Sequence, residues 1–430
     1  MKNDGVFTVR AEKLLQNTSA SFILESEKGG DEMIPRPRYI NQLEKYRDVP
    51  LVKILAGIRR CGKSTLLEMW RNQLIADGIA ADHVISVRYT TAAFYDGLTA
   101  QEMERDIRAQ LVGDGRYYLL LDEVQEIDGW ERAINNLLES ENVDIYVTGS
   151  NSRLMAGEIS TYLSGRYVSI PVFPLSFEEY LAFKKDAGAP QEAFNNYLRF
   201  GGFPVVALSN FDARTAYQVV EDIYNSVVTY DIARRHQITN VDLFYRVVKF
   251  IVENVGKTFS ANSIVKFLKG EGRALSVESV YNYLEWLEKA FVIYRCRRYD
   301  LQGKAELKTQ EKFYLADASL KYAVMGFDPR SIAAMLENIV YFELRRRGYS
   351  VFIGKLGTKE IDFVAERQGV RLYVQVCRTL PEHSEREIAN LLEIRDQYPK
   401  FVVTLDPYAT GDAEGVRIVH IADFLLDSSY

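Results

Sequence analysis

The stretch ILAGIRRCGKSTLL, residues 54–67, decides the fold. An apolar run of β type, Leu51–Ala56, leads into Gly57-Ile58-Arg59-Arg60-Cys61-Gly62-Lys63-Ser64-Thr65, and a helical pattern follows from Ser64 to Ile75. Glycines at both ends of such a loop let the backbone curl so that successive N–H groups face an anion. The helix behind the loop adds the positive end of its dipole. Strand, glycine-bounded loop and helix in that order are the context a P-loop requires. Gly57–Thr65 are therefore expected to cradle the phosphates of ATP, with Lys63 reaching the β- and γ-phosphates and the Ser64 hydroxyl ligating Mg2+. A chance glycine turn opening a helix is the competing reading, and the apolar strand ahead of the loop argues against it.

Four further apolar runs alternate with helical patterns: His83–Tyr89, Tyr117–Leu121, Val143–Thr148 and Tyr167–Phe173. Apolar strands interleaved with helices predict an α/β fold with a parallel sheet covered on both faces. Tyr117–Leu121 ends in Asp122-Glu123, two carboxylates at the C-terminal edge of a strand. Asp122 is expected in the Mg2+ shell, and Glu123 beside it is expected to polarise the attacking water. Val143–Thr148 runs into Gly149-Ser150-Asn151, where Ser150 or Asn151 is positioned to orient the water or the γ-phosphate; a plain turn explains the same residues equally well. Arg166, just ahead of the fifth run, is a candidate to reach the site of a neighbouring copy, which would make the protein a homo-oligomer. Surface arginines are common and need no such role.

Composition narrows the class. Of 430 residues, 47% are hydrophobic and 26% charged, enough apolar material for two or three cores. No apolar run approaches the ~18 residues that span a bilayer, and the N-terminus shows no secretory signal, so a cytoplasmic protein without a membrane partner is expected. Three cysteines, Cys61, Cys296 and Cys377, cannot build a disulfide framework. Four scattered histidines make a zinc site improbable. The net charge of −6 argues against a globally basic nucleic-acid coat but leaves room for a local patch.

Along the chain, residues 1–34 read as a polar N-terminal extension, 35–174 as the P-loop domain and 175–242 as a helical lid. Residues 243–328 read as a winged helix-turn-helix: Ser260–Leu268, a turn through Gly270–Gly272, Ser276–Lys289, then a hairpin from Phe291–Tyr299 and Lys312–Leu315. The helix Ser276–Lys289 carries three glutamates, poor chemistry for reading base edges. The hairpin is better: Arg295, Arg297, Arg298, Lys304 and Lys308 interleave with Tyr294 and Tyr299, a cluster able to contact DNA phosphates, and Arg345-Arg346-Arg347 is a second candidate. Residues 329–430 return to mixed α/β, with a helix over Ile332–Arg347 and strands near Ser350–Ile353, Ile361–Glu366, Arg371–Val376 and Phe401–Leu405.

Taken together with LLLDEVQEIDGWE, VTGSNSRLMAGEISTYLSGRY, LSFEEYL, GGFP, LENIVYFELRRRGY and KEIDFVAERQGVRLYVQV, the P-loop stretch resembles an AAA+-type ATPase family widespread in bacteria and archaea. The likeness runs from about Arg36 to Asp406. It implies an AAA+-like core, a helical lid, a winged helix and a C-terminal domain of unknown function with a fold like that of PD-(D/E)XK nucleases. It also implies an adenine-side contact from Arg36–Tyr39. In nucleases of that fold, an acidic residue on a helix, an Asp on a strand and a Gln or Glu on the next strand hold Mg2+, and a lysine stabilises charge. The matching positions are Glu337 or Glu343, Asp362 and Gln375, but Cys377 stands where the lysine is wanted. A thiol supplies no permanent positive charge at neutral pH. Lys355, Lys359 or Arg378 are nearby substitutes, and the expectation is a retained fold used for binding rather than cleavage. Two functions remain: an ATPase that couples hydrolysis to DNA binding or remodelling, and a nucleotide-gated regulatory switch.

Overall fold

The apolar runs become strands. The computed structural model describes residues 33–89, 97–150, 163–184, 187–303, 305–380 and 385–430. Most of the expected N-terminal extension, together with Asn151 and Lys304, lies outside these residues. The chain divides into two units, residues 1–56 with 62–172, and residues 57–61 with 173–430.

In the first unit, β1 (Val52–Ala56), β2 (Val84–Arg88), β3 (Tyr117–Asp122), β4 (Val143–Gly149) and β5 (Tyr167–Pro171) form a parallel sheet in the order β2-β3-β4-β1-β5. Every residue of β1, β3 and β4 is buried, as a sheet covered on both faces demands. Even Lys53 in β1 is buried, and its ammonium pairs with Asp144 of β4. Tyr146 donates to the same carboxylate at 2.7 Å, which helps to offset the desolvation of the pair. With β4 between β1 and β3, the carboxyl ends of these three strands are neighbours. In open α/β sheets ligands bind at that edge.

The second unit begins with helices. Phe177–Phe183 is opened by a capping box in which Ser176 and Glu179 satisfy each other's N–H groups. The helix Pro190–Phe200 ends at Gly201, whose φ is +74°. A Cβ there would lie 1.7 Å from Asp317 Oδ1, and the next N–H, that of Gly202, donates to Asp317 Oδ2 at 2.7 Å. The paired glycines thus seat a buried carboxylate against the backbone, and burial raises the pKa of Asp317. The helix Ala213–Ser226 passes directly into a π-helical segment, Val227–Arg234.

Where the helix-turn-helix is expected stand two helices, Ala261–Gly270 and Val277–Lys289, capped by Ser260 and Ser276. The hairpin after it is not a free wing. β6 (Ile293–Asp300) and β7 (Ala305–Leu315) pair antiparallel, and β6 also pairs parallel with β8 (Ser350–Leu356) through Arg298–Ile353. They are the last two strands of an eight-stranded sheet completed by β9 (Lys359–Arg367), β10 (Val370–Cys377), β11 (Lys400–Thr404), β12 (Gly411–Ala413) and β13 (Val416–His420). The order is β12-β13-β11-β10-β9-β8-β6-β7. The helix Ile332–Arg346 is tied to β7 by Asn338, whose amide accepts the Leu315 N–H at 2.7 Å and donates to the Leu315 carbonyl at 2.9 Å. Among the described residues no helix is long and apolar enough to cross a membrane.

Candidate functional site

The P-loop is pinned from within. Ile58 and Cys61 are fully buried, Arg60 takes a left-handed φ of +64°, and Gly62 follows at +101° before the helix Lys63–Ala76 begins. A left-handed non-glycine residue is uncommon, and such conformations cluster at functional sites. Lys63 is 4% exposed, with Nζ at 4.0 Å from Glu123 Oε1. Ser64 and Thr65 follow it on the first turn of the helix.

At the neighbouring strand ends the carboxylates are held firmly. Asp122, on the last position of β3, accepts from the Thr148 hydroxyl of β4, and its other oxygen is 3.0 Å from Arg88 Nε. Thr148 Oγ1 also accepts the Glu123 N–H at 3.0 Å. Glu123 itself sits at φ +56°, a second left-handed residue in the site. Gln125 donates to Glu123 and, at 3.4 Å, to Ser150 Oγ. Ser150 is 2% exposed. Lys63, Asp122, Glu123 and Ser150 thus belong to one cluster. Thr148 and Gln125, which join its members, carry only weak local signals in the sequence: the turn chemistry of Thr148-Gly149 and a polar residue two places after Glu123. Arg166 is not in this cluster: its guanidinium pairs with Glu139 and donates to Asn135 at 3.1 Å. Arg36 is 2% exposed with its guanidinium over the Tyr39 ring, 4.5 Å from the centroid.

A hydroxyl and a carboxylate are the hard oxygen donors that Mg2+ takes. Ser64 and Asp122 fit that requirement, with Asp122 already oriented by Thr148.

A family model described as "AAA domain" matches residues 50–181, and a second, described as "Domain of unknown function (DUF8612)", matches residues 191–331. An uncharacterized protein of Haemophilus influenzae is 36% identical over 398 residues, 92% of this chain and 99% of that protein. The chain belongs to its family. Another relative, the uncharacterized protein MJ1544 of Methanocaldococcus jannaschii, is 27% identical over 83% of this chain and 82% of its own length. Among solved structures, the Walker-type ATPase PABY2304 of Pyrococcus abyssi matches with a TM-score of 0.50 at 16% identity, covering 69% of this chain and 97% of that one. The chain therefore carries an AAA domain over residues 50–181, and the parallel sheet of β1–β5 is its core.

In the second unit of this family member, Glu337, Asp362 and Gln375 come together and Glu343 lies elsewhere. Glu343 is buried against Arg347, at 2.8 Å, and Arg346. The cation beside Asp362 comes from none of the expected lysines or arginines. It is Lys312 of β7, whose ammonium lies 3.2 Å from Glu337, 2.9 Å from Glu360 and 3.9 Å from Asp362. Lys359 pairs with Glu393 instead, and Arg378 donates to the Pro329 carbonyl at 3.4 Å. Burial alone would lower the pKa of Lys312, but Glu337, Asp362 and Glu360 raise it above its ordinary value. Burial likewise raises Glu337 and Asp362, because one ammonium does not neutralise three carboxylates. Burial pushes the Cys377 thiol up to about 11, so it is neutral.

This donor set does not fit a divalent metal. The Gln375 side-chain oxygen accepts the Asp362 N–H at 3.3 Å, Asp362 Oδ2 accepts the Val376 N–H at 2.8 Å, and the Lys312 ammonium faces one oxygen each of Glu337, Glu360 and Asp362. Among the described residues no group of three His, Cys, Asp or Glu side chains is disposed to hold a metal ion.

The two basic patches expected to meet DNA are also changed by the fold. Arg295 is paired with Glu288 at 2.7 Å and Glu311 at 2.9 Å, and Arg297 with Glu306 at 3.4 Å. The side chains of Arg346 and Arg347 are buried, while Arg345 is exposed: Arg346 donates to the Pro174 and Leu175 carbonyls, and Arg347 to those of Phe424 and Leu425. The long side chains cap backbone carbonyls rather than extending into solvent.

Proposed function

We propose that the chain binds ATP with Mg2+ at Gly57–Thr65 and hydrolyses it, with Glu123 as the base. The observation that carries this reading is the meeting of Lys63 and Glu123, 4.0 Å apart, beside an Asp122 fixed by Thr148. The loop N–H groups and Lys63 take the phosphates, and Lys63 then leaves its loose partner Glu123 for the stronger charge. Ser64 and Asp122 hold Mg2+, which when bound neutralises phosphate charge. Glu123, released by Lys63 and oriented by Gln125, accepts the proton of the attacking water. Ser150, bound to the same Gln125, is the sensor of this reading, with Asn151 its alternative. Arg166 serves a neighbouring copy only by leaving Glu139, an exposed pair that exchanges readily.

The output of hydrolysis reads better as a switch than as movement on DNA. Of the arginines expected to contact phosphate, Arg295 is held by two carboxylates and the Arg346 and Arg347 side chains are buried in their own unit, while Arg297 sits in an exposed pair and Arg345 is exposed. Glu123→Gln is expected to bind mant-ATP as the parent does and to lose turnover by about a hundredfold or more, whereas Lys63→Ala loses binding. Parental turnover in Glu123→Gln would remove Glu123 as the base. A rate raised severalfold by DNA in low salt, and not in high salt, would return the motor reading to first place.

A further inference from the structure

Arg59, in the middle of the P-loop, makes a bidentate pair with Asp231: Nε to Oδ2 at 2.6 Å and Nη2 to Oδ1 at 2.7 Å. The partners are 172 positions apart, and Asp231 is only 3% exposed. Asp231 lies in the π-helical segment Val227–Arg234. π-Helical turns are rare and frequent at functional sites, because the extra residue per turn displaces a side chain from helical register. The residue after Arg59 is the left-handed Arg60. A strained backbone of this kind persists only where its surroundings over-determine it. A fork-to-fork arginine–carboxylate pair is among the strongest and most directional restraints available to a loop. Gly57–Cys61 accordingly group with the second unit, although the loop is continuous with the helix that starts at Lys63.

We propose that Arg59 and Asp231 are positioning residues for nucleotide binding: the pair holds the outer turn of the P-loop in its phosphate-receiving shape and makes the π-helical segment responsive to whether phosphate is bound. This role rests on ATP binding at Gly57–Thr65. Reciprocity is then required: whatever the pair contributes to ATP affinity, ATP contributes to the order of the π-helical segment. Arg59 touches no reacting atom in this scheme, so its removal acts on binding more than on the chemical step.

The test is a mutant cycle on the full chain, read by mant-ATP binding and by steady-state hydrolysis. Arg59→Gln, Asp231→Asn and the double variant are each expected to weaken mant-ATP binding about tenfold, with kcat within about twofold of the parent. The double variant should lose no more than either single one, because both changes break the same restraint. Arg59→Lys, which keeps charge but not the fork, should fall between. Arg59→Gln leaves the buried Asp231 carboxylate unpaired, whereas Asp231→Asn and the double variant leave no uncompensated buried charge, so those two keep the cycle readable if Arg59→Gln folds poorly. Parental affinity in Arg59→Gln, or losses that multiply in the double variant, would overturn the proposal. Lys63→Ala run alongside separates the two levels: if it too binds mant-ATP like the parent, the ATP reading fails rather than the pair.

Discussion

Lys312 stands on β7 with its ammonium in reach of Glu337, Glu360 and Asp362, and no local pattern announces it. In the sequence it is one charged residue in the alternating run before Leu315, and the gap at Cys377 points to lysines on the neighbouring strands. The sheet order brings β7 and the helix of Glu337 together instead. Removing one member of a buried ion pair leaves the others uncompensated, which costs roughly 3–5 kcal/mol. Lys312→Met is expected to lower stability by an amount of that order in urea unfolding, and a parental midpoint would show that the carboxylates are solvated. The same cluster predicts no Mg2+- or Mn2+-dependent cleavage of DNA; cleavage that vanished in Asp362→Ala would contradict it. Glu123 was legible as a residue because two carboxylates at the end of an apolar strand are a local signal, yet its left-handed φ and its link through Gln125 to Ser150 were not.

At the scale of elements, most of the strands and helices read from the sequence came within a residue or two, since burial on both faces and capping chemistry are written in adjacent positions, but the strand read at Lys312–Leu315 begins at Ala305, and β12 and β13 were not read. Ser176, Ser260 and Ser276 each cap the helix that comes after them. One cap was not readable. His420, at the end of β13, accepts the Ala422 N–H at 3.2 Å through Nδ1 and so opens the helix Ile421–Leu426. An imidazole accepts only while neutral. Burial lowers its pKa below the ordinary 6.5, so its contribution is present above that value and is lost as pH falls through the depressed one. The parent is therefore expected to lose stability relative to His420→Asn as pH drops from 7.5 to 5.5. Asparagine also caps helices, and it does not titrate. Thermal unfolding of both proteins across that range measures the difference, and parallel curves would remove His420 as the titrating group.

For the whole molecule, the decisive feature is that β6 and β7 complete the sheet built from β8–β13. The boundary read at 328/329 passes through one layer of hydrogen bonds and strips Asn338 of Leu315 and Glu337 of Lys312. A piece comprising residues 329–430 is expected to be degraded rapidly in limited proteolysis, and one comprising residues 173–430 to resist; equal resistance would show that the shorter piece folds alone. The local sequence determined the phosphate loop, the strands around it, the paired carboxylates and the helix caps, because each depends on residues within one turn or one strand of one another. Tertiary structure alone decided that Asp231 grips Arg59, that Lys312 fills the carboxylate cluster, that Arg346 and Arg347 cap carbonyls, and that the expected wing is two strands of a larger sheet. Those outcomes depend on which distant segments become neighbours. Charge and apolar period mark a side chain as able to pair or pack, but only the assembled sheets and their packed helices select the partner.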